Sequence, residues 1–279
     1  MRKRAIAPIL DDALMDSILS AVVMFSNKTK WKQWGMDRLR EQGAALLFQG
    51  PPGTGKTITA RWLARKLRLQ LQEVDYSLIG SGEPGELQKN VNSEFDKAEV
   101  QDANGNYSMV FIDECDTCLV DRRKLGSTAL WMLEPINALL SRIGTYPGLV
   151  VLCTNSVPEF LDFALERRLI GTFNFGVPTK LTRVKLWQAK FPKRAPTGRA
   201  DWDRLARYEL TGAQIETLLI NWVSDAIRRD FDPNLDDLYR MLEPDAYTIK
   251  EESELEESGF SEYYARKDEA DKPIPDLLK

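Results

Sequence analysis

The sequence predicts a doubly wound α/β domain followed by a small helical one. Three observations carry that prediction. Apolar runs of strand length alternate with amphipathic segments of helix length between residues 44 and 175. The runs are continuously apolar, as expected when both faces of a parallel sheet are covered. Beyond Val177, helical patterns follow one another with no strand between them.

Taken in order, residues 9–25 space their apolar residues helically, with aspartates near the start where the helix dipole favours negative charge. Residues 31–39 read as a short polar-aromatic connection. Residues 44–48 (AALLF) read as a buried strand, and the segment after Lys56 as a helix. Residues 69–75 form a second strand candidate, and 85–100 an amphipathic helix ahead of the turn DANGNY. Residues 108–113 (SMVFID) and 148–155 (GLVVLCTN) are buried strands that flank a helical stretch, 128–143, in which Pro135 marks a kink or boundary. A helical 160–169 and a short strand, 172–175, complete the α/β part. Helices are then expected at 180–191, 201–208 and 212–230. The expected division is a helical lead-in over 1–42, the α/β domain over 43–177, helices over 178–243, and an acidic tail over 244–279. That tail is poor in core residues and reads as unfolded, or as folding only on a partner.

Composition narrows the chemistry. The 279 residues carry a net charge of −4, so the surface as a whole does not attract nucleic acid. No run approaches membrane-spanning length. The basic N-terminus lacks the apolar stretch of a signal peptide, and three cysteines fit a reducing cytoplasm better than a disulfide framework. There is no histidine, which excludes a Ser-His-Asp triad and an HExxH zinc site. The remaining tools are carboxylates, amines, backbone amides and a soluble metal.

Residues 50–57 read GPPGTGKT and fit G-x-x-x-x-G-K-[ST] between a strand and a helix. Such a loop turns the amides of Pro52-Gly53-Thr54-Gly55-Lys56-Thr57-Ile58 and the helix N-terminus around phosphates wherever a donor exists. Lys56 then reaches the β- and γ-phosphates, and the Thr57 hydroxyl ligates Mg²⁺. The strand VFIDE ends on Asp113, placed to hold Mg²⁺ through water, and on Glu114, placed to deprotonate an attacking water. Cys115-x-x-Cys118, with Cys153 on a neighbouring strand, reads as buried free thiols rather than a metal or redox centre, since too few ligands accompany them. The run RRK at 122–124 reads either as a solvated charge run or as the lining of a nucleic-acid channel.

Over about residues 5–230 these motifs resemble the AAA+ ATPases, and specifically AAA proteins in the narrow sense. GPPGTGKT resembles that family's Walker A and FIDECD its Walker B. The resemblance implies ATP and Mg²⁺ as ligands and hydrolysis as the reaction. It implies a sensor role for Asn155, which would position the attacking water. The segment Leu161-Asp162-Phe-Ala-Leu-Glu-Arg167-Arg168 is similar to the family's L-D-x-A-x-x-R-R, whose arginines reach into the neighbouring subunit's site. A homo-oligomeric ring, expected as a hexamer, follows from that. Thr211-Gly212-Ala213 resembles the start of a lid helix, where small residues allow close approach of adenine or ribose. The chain departs from protein-threading members near Glu83, where no pore-loop aromatic stands.

Three functions compete at this point: remodelling of a protein client or adaptor by a ring ATPase, a nucleic-acid-associated ATPase of replication or recombination, and a scaffold whose assembly ATP controls with slow turnover.

Overall fold

The computed structural model describes residues 7–35, 44–74, 86–124, 133–155, 161–195 and 200–243. The expected pore-loop region around Glu83 and the acidic tail lie outside these residues, as do residues 128–132 of the helix expected over 128–143.

Five strands form one parallel sheet: β1 (Ala44–Gln49), β2 (Leu71–Val74), β3 (Met109–Ile112), β4 (Leu149–Thr154) and β5 (Leu169–Asn174), in the order β2-β3-β4-β1-β5. Because side chains alternate along a strand, each central strand feeds two cores. Ala45, Leu47, Val110, Ile112, Val150 and Leu152 pack on one face against α5 (Glu86–Ala98) and α6 (Leu133–Thr145). Leu46, Phe48, Met109, Phe111, Val151 and Cys153 pack on the other against α1 (Asp12–Ala21) and α4 (Lys56–Leu67). The fold is thus the doubly wound α/β fold that the apolar runs predict, and its parallel strands all end at one edge. Ligands of such sheets bind at that edge.

Several local expectations are corrected. The helix expected over 9–25 breaks at Val22 into α1 and α2 (Val23–Ser26). Asp12 does lie in the first turn of α1, while the Oδ1 of Asp11, just before it, accepts hydroxyls from Thr179 and Thr182, both at 2.6 Å. The connection expected from Trp31 is helical up to Gln33 as part of α3 (Lys28–Gln33). Pro135 lies at the described N-terminal end of α6, in agreement with the expected boundary. It sits in the first turn, where its missing N–H has no intrahelical role. The helix expected over 160–169 is a turn and a short 3₁₀ segment, Glu166–Arg168, since Leu161 pairs with Val120 and Leu169 already belongs to β5.

Beyond β5, α7 (Lys180–Lys190), α8 (Trp202–Leu205), α9 (Gly212–Arg228) and α10 (Leu235–Leu242) enclose a third core around Trp187, Leu205, Ile215, Trp222 and Leu238. The sequence reading missed α10. Its buried residues, Leu238, Tyr239 and Leu242, are few and follow Pro233 closely. Among the described residues, no helix is long and apolar enough to cross a membrane.

Candidate nucleotide-binding site

The ends of β1, β3 and β4 deliver the predicted residues to one cleft of about 660 Å³. Pro52 through Ile58, Asp113, Glu114, Asn155, Gly212 and Ala213 all line it. Residues nearly 100 positions apart meet here because the strands are parallel and their C-terminal ends coincide.

Two glycines set the loop's shape. Gly50 has φ 138°, and a Cβ there would lie 2.3 Å from the Phe175 carbonyl oxygen. Gly53 has φ 79°, and a Cβ there would lie 2.6 Å from the Ala213 Cβ. Both conformations are costly for a residue with a side chain. Gly55 precedes α4 as its N-cap, so the first-turn amides of Lys56, Thr57 and Ile58 face the cleft with no capping side chain.

Lys56 is buried, and its ammonium donates to the carbonyls of Gly50 at 2.6 Å and Pro51 at 2.8 Å. Burial pulls its pKa below the ordinary lysine value, while Cys153, Asp113 and Asp116 oppose that shift. Thr57 donates its hydroxyl to Asp113 Oδ2 at 2.7 Å. Two oxygen donors of that kind, side by side at a helix N-terminus, fit a hard divalent cation such as Mg²⁺. Glu114 holds a left-handed backbone, φ 50°, and its N–H donates to Asp113 Oδ1 at 3.1 Å. A glutamate in that region is strained, which is common where a side chain must be aimed. Asn155 is exposed at the end of β4. Its neighbour Thr154 donates to Asp116 Oδ1 at 2.9 Å, tying β4 to the carboxylate segment.

Arg167 and Arg168 do not line the cleft, and they diverge. Arg167 is exposed. Arg168 turns back on its own chain, donating to the Ala164 carbonyl at 2.5 Å and packing beside Gly144, with its Nε buried and unpartnered. The expectation that both project outward is corrected for Arg168. Ala213 donates its backbone N–H to the Gly53 carbonyl at 3.2 Å, so that amide joins the helix to the loop instead of facing the cleft.

In the RRK run Arg122 is partly buried and Arg123 is exposed to solvent, and both are paired. Arg122 is bound to Asp162 and Arg123 to Asp121. Cys115, Cys118 and Cys153 are buried thiols, each pushed up in pKa chiefly by desolvation. Among the described residues, no group of three metal-ligating side chains exists.

Sequence reasoning missed part of the wall. Pro8, Ile9 and Leu10 reach the cleft from before α1, and Phe175, Gly176, Leu186 and Lys190 from beyond β5. No motif signals them. They reach it by backbone path, and the apolar ones among them are indistinguishable from ordinary core residues at the level of sequence.

Residues 46–177 match the family model described as "ATPase family associated with various cellular activities (AAA)". The chain is 31% identical over 159 residues to an ATPase-like fidgetin of Schizosaccharomyces pombe, covering 53% of this chain and 24% of that protein. It is 26% identical over 221 residues to Vacuolar protein sorting-associated protein 4 of Dictyostelium discoideum, covering 78% and 46%. It is 27% identical over 186 residues to CD-NTase-associated protein 6 of Pseudomonas aeruginosa, covering 62% and 60%. The chain thus spans from about a quarter to three fifths of these relatives' lengths. Among solved structures, a chain of the E. coli MS115-1 HORMA:CdnC:Trip13 complex superposes with a TM-score of 0.69 at 18% identity, covering 86% of this chain and 90% of that one. That likeness concerns the fold.

Proposed function

Residues 46–177 are an AAA ATPase domain, and from that premise we propose that the protein hydrolyses ATP as a ring and uses the cycle to remodel a protein partner. The observation that carries the reading is the convergence of Lys56, Thr57, Asp113, Glu114 and Asn155 on one cleft. The loop amides and Lys56 would bind the β- and γ-phosphates. Thr57 and Asp113 would hold Mg²⁺, which when bound neutralises the charge between those phosphates. Glu114 accepts the proton of the attacking water, and Asn155 orients that water against the γ-phosphorus. Arg167, exposed and not among the residues that line its own cleft, serves the neighbouring subunit's site. The helices after Val177 act as a lid, because Gly212 and Ala213 lie directly over the loop.

A relative named for vacuolar protein sorting, and a structural neighbour solved in a complex with two other proteins, support a protein client or adaptor. The nucleic-acid reading loses part of its support, since the Arg122 guanidinium is held by buried Asp162, while Arg123, paired with Asp121, stays exposed. The test is capture with Glu114→Gln in ATP and magnesium, followed by ATPase assays with the captured protein. Stimulation of wild-type turnover by that protein is expected. Stimulation by DNA that falls steeply with salt would favour the nucleic-acid reading instead. Full biological activity of Glu114→Gln would favour a scaffold.

A further inference from the structure

Arg122, the first residue of the RRK run, makes a fully forked polar contact outside the cleft. Its Nε donates to Asp162 Oδ2 at 2.6 Å and its Nη2 to Asp162 Oδ1 at 3.2 Å. Its Nη1 donates to Asn137 Oδ1 at 2.6 Å. The Asp162 side chain is fully buried, with 0% of its surface exposed. A carboxylate so placed must be paired, because an isolated buried charge is very costly. The same carboxylate accepts the Ala164 N–H at 2.9 Å, and the Asp162 carbonyl accepts the Leu165 N–H at 2.9 Å. It therefore shapes the turn that leads into Glu166–Arg168. Four further contacts join the same two stretches. Asp162 N–H donates to the Leu119 carbonyl at 2.8 Å, Val120 bridges Leu161, and Arg122 and Arg123 both lie over the Phe163 ring.

The two stretches have different clients. The stretch 113–122 begins at the carboxylates of the chain's own cleft. The stretch 161–168 ends at Arg167. We infer that Arg122 is a positioning residue: its fork on Asp162 sets the exposed Arg167 for the neighbouring subunit, and links that arginine to the Asp113–Glu114 segment of its own subunit. This rests on the reading that Arg167 acts in trans. The fork geometry suits arginine alone, since lysine provides one point charge where two parallel donors are used.

The test is a set of mixing experiments on the full chain, with kcat, KM and nucleotide affinity measured alongside thermal melting. Arg122→Gln is expected to bind ATP within about twofold of wild type and to lose roughly 100-fold in kcat at little-changed KM, the scale of a misplaced catalytic group. Mixed with Glu114→Gln it should regain activity, because the intact arginine of one subunit meets the intact carboxylate of the other. Mixed with Arg167→Ala it should regain none. Recovery with Arg167→Ala would show that Arg122 serves its own cleft and would overturn the proposal, as would wild-type kcat. If Arg122→Gln fails to melt as a folded protein, Arg122→Lys carries the same cross: it keeps a cation on Asp162, and a loss of about tenfold with the same recovery pattern is expected. The reference pair, Glu114→Gln with Arg167→Ala, separates the two failures. No recovery there would overturn the trans reading itself.

Discussion

Lys56 holds its ammonium within 2.6 and 2.8 Å of two loop carbonyls, so it is poised before any phosphate arrives. Charge-assisted hydrogen bonds to phosphate are among the strongest single contacts. Lys56→Ala is expected to weaken ATP binding at least about 100-fold in calorimetry while leaving the circular dichroism spectrum unchanged. Glu114→Gln should leave that affinity nearly intact and lower turnover by about 10²–10⁴. It removes a base and keeps the shape, so a large loss of affinity would argue against the assigned role. The cysteines make a separate prediction. All three are buried and their thiols titrate above the ordinary range, which suppresses the reactive thiolate. No fast thiol should be found by a disulfide reagent at pH 8 in the native protein, and three should appear in guanidinium.

Elements meet where two backbones touch. Helix α9 rests on the phosphate loop through the Ala213 N–H and the Gly53 carbonyl, and its N-terminus carries a capping box between Thr211 and Gln214. Thr211→Ala is expected to cost about 1 kcal/mol in denaturant unfolding. Gly53→Ala is more damaging to function, because its added carbon would fall 2.6 Å from the Ala213 side chain and 3.0 Å from the Thr211 hydroxyl. The helix must move off the loop. Nucleotide affinity should fall while the secondary structure content holds, and unchanged affinity would show that this contact is not needed. Asp11, bound to Thr179 and Thr182, does the corresponding job at the other wall by tying the N-terminal segment to the start of α7.

At the scale of the whole molecule, one cleft gathers the N-terminal segment, the sheet edge and the C-terminal helices, so its ligand should stabilise all three together. Saturation with Mg-ATP at about 100 times its dissociation constant adds about 2.7 kcal/mol. A clear rise in Tm is expected for wild type and none for Lys56→Ala. How much of this was legible beforehand follows from the kind of signal each part carries. The Gly-rich loop, Asp113 and Glu114 could be read directly, because their chemistry needs fixed residue types at fixed short spacings beside recognisable strands, whereas Asn155 was legible only through the family resemblance. The alternating strands could also be read, since burial on two faces demands continuous apolar runs. The break at Val22, the turn before Arg167 and the cleft wall from Pro8 to Leu10 could not. The sequence by itself therefore determined the fold class and which loop and carboxylate residues meet in the cleft, because those are local demands on residue type and order. Only the tertiary structure decided that Arg122 grips Asp162, that Arg168 turns inward while Arg167 faces out, and that α9 sits on Gly53. Those outcomes depend on distances between segments far apart in the chain, and packing alone sets such distances.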